Sequence, residues 1–100
     1  FCKYTKTKYA VAVSNCTAAL HLSLKALGIK KDDEVIIPDL TFVADANAVL
    51  ACNAKPIVTD INKENFFLSI SNVKKNITKK TKAIIPVHIY GNPCDFDSIR

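Results

Sequence analysis

One hundred residues make about one small domain, and a chain that is 49% hydrophobic and 23% charged is globular in composition, not disordered. With only Gly28 and Gly91, it holds neither a glycine-rich dinucleotide loop nor a P-loop, and no apolar run nears the roughly 20 residues of a membrane span. The net charge of +5 gathers at Lys3, Lys6 and Lys8 and again at Lys74, Lys75, Lys79, Lys80 and Lys82. Without interleaved aromatics or a recognisable module these are solvated faces, and neither nucleic acid nor membrane is expected as a partner.

The chain opens on Phe1-Cys2, with no Met and no basic-then-apolar leader, which reads as a fragment or a trimmed start. Tyr9-Ala10-Val11-Ala12-Val13 is a short apolar run that predicts a buried strand. Ser14 and Asn15 are good N-caps for a helix over 17–27, where Leu20, Leu24 and Leu27 share a face and Gly28 sits at the C-terminal cap. Lys30 to Asp33 is a polar turn, and Glu34-Val35-Ile36-Ile37 a second strand ended by Pro38. Thr41 can cap a helix running to about Cys52, and 55–59 is a third strand. An irregular polar stretch over 60–69 offers Phe66 and Phe67 for burial, followed by a short helix over 71–77. A fourth strand covers 82–87 and runs into His88; Gly91-Asn92-Pro93 is a turn, and a helix begins over 95–100. Strands without polar alternation, separated by helices, imply an α/β fold: a mostly parallel sheet flanked by helices, with right-handed crossovers and no internal boundary.

Cys2, Cys16, Cys52 and Cys94 are far apart, form no CxxC pair and have no paired histidines, so no zinc site is expected. Cys16 and Cys52 lie in apolar, Ala-rich segments, and reduced thiols in a cytoplasmic protein are expected.

Ligands of open α/β sheets bind beyond the C-terminal ends of the strands. Three segments fall there. In Ser14-Asn15-Cys16-Thr17-Ala18 a strand runs into a helix whose first-turn N–H groups and dipole favour an anion, with small side chains to let it approach. The alternative is an ordinary capped helix. Phe42, beside the same rim, can stack on a flat ring or serve as a core residue. His88 and Tyr90 follow the last strand; a histidine there can act as acid, base or donor, or be a satisfied structural group.

Residues 1–22, from Phe1-Cys2-Lys3-Tyr4 through Val13-Ser14-Asn15-Cys16-Thr17-Ala18-Ala19-Leu20-His21-Leu22, resemble the opening of the DegT/DnrJ/EryC1/StrS family of pyridoxal-phosphate (PLP) sugar aminotransferases. The resemblance continues in order through Asp33-Glu34-Val35-Ile36-Ile37-Pro38, Thr41-Phe42-Val43-Ala44, Asn47-Ala48-Val49, Pro56 to Ile61, Thr81 to His88 and Tyr90-Gly91. It implies a fold type I large domain, of which residues 1–100 are the N-terminal part, and a homodimeric full-length enzyme. It implies amino transfer from glutamate to a nucleotide-linked keto-sugar, in amino-sugar biosynthesis for lipopolysaccharide or another surface glycoconjugate. By the same resemblance, backbone N–H groups of Cys16, Thr17 and Ala18 hold the PLP phosphate, Phe42 stacks on the PLP ring, and His88 and Tyr90 are weaker candidates for contact with substrate.

Two residues depart from the family pattern. Cys16 stands where Gly is usual, and a small residue with helical backbone is expected to fit there. Asp45 replaces a Thr or small residue. The family's cofactor-bonding lysine and the acidic partner of the pyridine nitrogen both belong to later segments, so no catalytic residue is assigned within these 100. Dehydratases of the same family, and a non-catalytic α/β module that binds a phosphorylated ligand or a protein, remain the alternatives.

Overall fold

In the computed structural model, which describes residues 1–99, the apolar run 34–38 is the central strand β1 (Glu34–Pro38), and all five of its residues are buried. Its neighbours are β2 (Lys55–Thr59) and β3 (Thr81–Ile84), both parallel to it, in the order β2-β1-β3. β1 and β2 pair in register from Glu34 opposite Lys55 to Pro38 opposite Thr59, and the β1–β3 ladder slips once, between Glu34 and Val35.

The side chains of β1 alternate between two cores, which is why the strand carries no polar alternation. Val35 and Ile37 pack with Leu24, Ile29, Ala48, Val49 and Cys52 on one face. Ile36 packs with Leu68 and Val73 on the other, supported by Ile57 and Ile84. The first face is covered by α2 (Cys16–Ala26) and α3 (Ala44–Ala51), the second by α4 (Ile70–Asn76) and the segment before it. The expected α/β architecture is present.

α2 ends as its glycine predicts. Gly28 takes φ +79°, its N–H donates to the Lys25 carbonyl at 3.0 Å, and the Ile29 N–H donates to the Leu24 carbonyl at 3.0 Å. This is the Schellman pattern, and it turns the chain toward β1. α2 therefore runs against β1. Its 11 residues span about 16 Å, which carries Cys16 toward the C-terminal ends of the strands.

Several expectations need correction. Residues 9–13 form no strand: Tyr9 is 76% and Val11 84% exposed. Apolar residues favour extended backbone, but a strand needs a neighbour for its N–H and C=O groups, and among the described residues none lies beside this segment. β3 stops at Ile84, short of 87, although the Ile85 N–H still reaches the Ile36 carbonyl at 2.9 Å. Pro86 has no N–H to continue the ladder. Within 82–87, Lys82 is exposed and the other five residues are half-buried. Thr41 is not the cap of α3; Val43 holds that position. Of the two phenylalanines offered for burial, Phe67 is half-buried and Phe66 stays 45% exposed. Three short pieces complete the described residues: α1 (Cys2–Thr5), which the sequence did not suggest, a 3-10 turn (Ile89–Gly91), and α5 (Phe96–Ile99). The last residue of the helix expected over 95–100, Arg100, lies outside the described residues.

Candidate functional site: the start of α2 and the turn before α3

Asn15 is extended (φ −165°, ψ 172°) and directly precedes α2. Its Oδ1 accepts the Ala18 N–H at 2.8 Å, and its carbonyl accepts the Ala19 N–H at 3.1 Å. The cap therefore occupies the Ala18 amide, one of the three donors named from the sequence. The N–H groups of Cys16 and Thr17 have no acceptor among the described residues, and neither has the Thr17 hydroxyl. Cys16 and Thr17 are both exposed. Cys16 is the first residue of α2 and is not among the residues with left-handed backbone, so a thiol-bearing side chain is carried without strain.

α2 and α3 lie side by side, and between them opens a groove of about 600 Å³. Asn15, Thr17, Ala18 and His21 line it from α2 and its cap; Asn47, Ala48 and Ala51 line it from α3. His21 and Asn47 were not singled out in the sequence. The spacing of Thr17 and His21, four residues apart and thus on one helix face, was the available signal. The Nε2 of His21 is buried without a hydrogen-bond partner.

Phe42 stands on the turn between β1 and α3 and is 75% exposed among the described residues, which do not pack it into either core. Asp45 in the first turn of α3 is only 6% exposed. Its Oδ2 accepts the Thr41 hydroxyl at 2.5 Å, and its N–H donates to the Phe42 carbonyl at 3.2 Å. The Thr–Asp spacing of four was visible in the sequence; its use to brace the turn was not.

His88 and Tyr90 stand apart in character. The Nδ1 of His88 accepts the Cys94 N–H at 2.9 Å, so a neutral ring carries its proton on Nε2. The ring also meets Phe96 with centroids 5.6 Å apart. These contacts tie the loop 88–96 together, as a structural histidine would. Burial pushes the Cys94 thiol above its ordinary value. Tyr90 is 82% exposed, takes left-handed backbone (φ 52°) and meets the edge of Phe66 at 6.4 Å; Phe66 is left-handed too (φ 62°). Such backbone is uncommon for bulky residues.

The donor set at α2 suits a phosphate monoester: two unpaired amides and a hydroxyl at the positive end of a helix, with no carboxylate in its first turn. An exposed aromatic on the neighbouring turn suits the flat ring of such a compound. The sequence profile of the DegT/DnrJ/EryC1/StrS aminotransferase family matches residues 1–100. The chain belongs to this family.

Individual members of the family, and solved structures, agree with that placement. The chain is 48% identical over 100 residues to a GDP-perosamine synthase of Vibrio cholerae, covering all of this chain and 27% of that protein. It superposes on NtdA of Bacillus subtilis, solved with bound cofactor PMP, with a TM-score of 0.94 and 41% identity, over 98% of this chain and 22% of the other. A GDP-4-keto-6-deoxymannose-3-dehydratase, solved with a trapped PLP-glutamate geminal diamine, superposes with a TM-score of 0.89 and 32% identity, over 98% of this chain and 27% of the other. The chain thus spans about a quarter of the length of the curated relatives it matches.

The four cysteines of this family member are all free thiols, with Cys52 and Cys94 buried and Cys16 exposed. No helix among the described residues is long and apolar enough to cross a membrane.

Proposed function

We propose that residues 1–100 are the N-terminal part of the PLP-binding large domain of an aminotransferase. The proposed reaction moves an amino group from an amino acid, glutamate, to a nucleotide-linked keto-sugar. The observation that carries this is the unpaired pair of amides at Cys16 and Thr17, beside the free Thr17 hydroxyl, at the start of α2. In this reading Thr17 and Cys16 hold the cofactor phosphate, Ala18 lines the cup with its amide committed to Asn15, and Phe42 covers one face of the ring. PLP, when bound, supplies the electron sink and carries the amino group between donor and acceptor. The residues of this chain bind and orient it; none of them is assigned a proton transfer.

The kinship with GDP-perosamine synthases supports a nucleotide-sugar acceptor, and a role in making a surface glycoconjugate such as lipopolysaccharide goes with this reading. A cytoplasmic homodimer accompanies this reading. The likeness to a dehydratase supports a second reading, in which the same cofactor site serves loss of water from the sugar. The two are separated by incubating the full-length protein with PLP, glutamate and a GDP-linked keto-sugar. Formation of 2-oxoglutarate together with an amino-sugar in equal amounts is the expected result. A deoxy-keto product without net amino transfer would favour the dehydratase. A protein that develops no visible absorption band with PLP would be the binding module instead.

A further inference from the structure

We infer that Asp45, through its hydrogen bond with Thr41, is a positioning residue for the Phe42 ring. This rests on the proposed stacking of Phe42 on the cofactor. Phe42 is 75% exposed and belongs to no helix, so the described residues do little to pack its ring. What is held is the backbone on either side of the ring. Thr41, the residue before it, is tied to Asp45 at 2.5 Å. The Asp45 N–H, three residues after it, closes back on the Phe42 carbonyl at 3.2 Å. The Asn47 N–H meets the Val43 carbonyl at 3.0 Å and continues the turn into α3. Phe42 is thus the outward-pointing member of a loop closed by one side-chain bond.

The chemistry of the pair fits that use. Asp45 is 6% exposed, and a buried carboxylate must be satisfied. The Thr41 hydroxyl satisfies one oxygen in a charge-assisted bond, and the first turn of α3 favours the negative charge. An alanine at 45 has no side-chain oxygen to accept the Thr41 hydroxyl. A turn fixed before the cofactor arrives leaves only the ring's own rotation to be ordered when it stacks. Ordering a mobile turn on binding costs the equivalent of about two- to tenfold in affinity.

The test uses the full-length protein carrying Thr41→Val, Thr41→Ser, Asp45→Ala, the double change Thr41→Val with Asp45→Ala, and Phe42→Ala. Three quantities are read: PLP dissociation constant, visible circular dichroism of bound PLP, and melting temperature without PLP. Thr41→Val and Asp45→Ala should each weaken PLP about two- to tenfold and shrink the dichroic band. The double change should do no more than either alone, because the two groups act as one bond. It also leaves no buried group unpaired, so it remains informative if a single variant fails to fold. Thr41→Ser should bind like the native protein. Lower melting temperatures with native affinity and dichroism would reduce the pair to a structural brace and overturn the inference. So would additive losses. Native affinity in Phe42→Ala would instead remove the stacking reading, and the inference with it, whereas weak binding there with native binding in the other variants would sink the role of Asp45 alone.

Discussion

The side chain of Asn15 reaches forward to the amide of Ala18, 2.8 Å away, and so decides which first-turn donors of α2 remain for an anion. The cap stabilises the helix and leaves Cys16 and Thr17 free. Asn15→Ala should lower stability by about 0.5–2 kcal/mol, read by thermal or urea unfolding. Asn15→Asp should keep the cap yet set a carboxylate beside the proposed phosphate. That variant should melt like the native protein and bind PLP more weakly, by about 1 kcal/mol or more. Equal PLP affinity in Asn15→Asp would move the phosphate away from this helix.

Thr17 contributes an amide and a hydroxyl, and the two can be removed separately. Thr17→Ala deletes a hydrogen bond to a charged group, worth about 1.5–3 kcal/mol, or roughly 10- to 160-fold in PLP affinity. Thr17→Pro removes the amide as well and should cost more, although proline is tolerated in a first helical turn. Cys16→Gly should bind PLP at least as well as the native residue, since Cys16 needs no left-handed backbone. Fluorescence titration of the full-length apoprotein checks all three.

Phe42 is exposed, so its removal should leave folding almost untouched. Phe42→Ala is expected to shift stability by no more than about 0.5 kcal/mol. PLP affinity should fall about two- to tenfold, the equivalent of about 0.5–1.5 kcal/mol of aromatic stacking. A large loss of stability with native affinity would contradict both its exposure and its proposed role.

Ile36 offers the opposite pattern. It is fully buried on the α4 face of the sheet, against Leu68 and Val73. Ile36→Ala should cost about 2–5 kcal/mol by leaving a cavity. A change below about 1 kcal/mol in denaturant unfolding would mean that this second core is loosely formed.

The Ser98 hydroxyl and then the Ser98 amide bond the Asp95 carboxylate, and together they hold it below the usual carboxylate range. A lowered carboxylate contributes its stabilisation in full above the ordinary Asp range and loses it as pH falls through its own lower value. The first turn of α5 should therefore stay formed at neutral pH and fray as pH falls below the ordinary aspartate range. The Ser98 amide resonance followed against pH should report this, and Asp95→Asn should flatten the profile. A midpoint at or above that of an ordinary aspartate would refute the assignment.

Much of the scaffold was legible because its signals are local. The buried run at Glu34–Pro38, the strand at Lys55–Thr59 and the glycine that ends α2 each depend on residues adjacent in the chain. The capped start of α2, with the Cys16 and Thr17 amides left free, was legible for the same reason: a cap residue and a helix start determine where free amides point. Other outcomes depend on which groups meet. The apolar run 9–13 satisfies every local preference for a strand, yet a strand exists only where a second backbone supplies its partners, and none does so here among the described residues. Thr41 has the chemistry of a cap but spends its hydroxyl on Asp45, because the fold buries that carboxylate and a buried charge must be met. The Ala18 amide and the His88 imidazole looked equally available in the sequence; packing committed one to Asn15 and the other to the Cys94 amide. The amino-acid sequence by itself determined where helices and strands could begin and which residue types lined the rim. Only the tertiary structure decided which polar groups were already paired, since a hydrogen bond depends on distance in space and not on position along the chain.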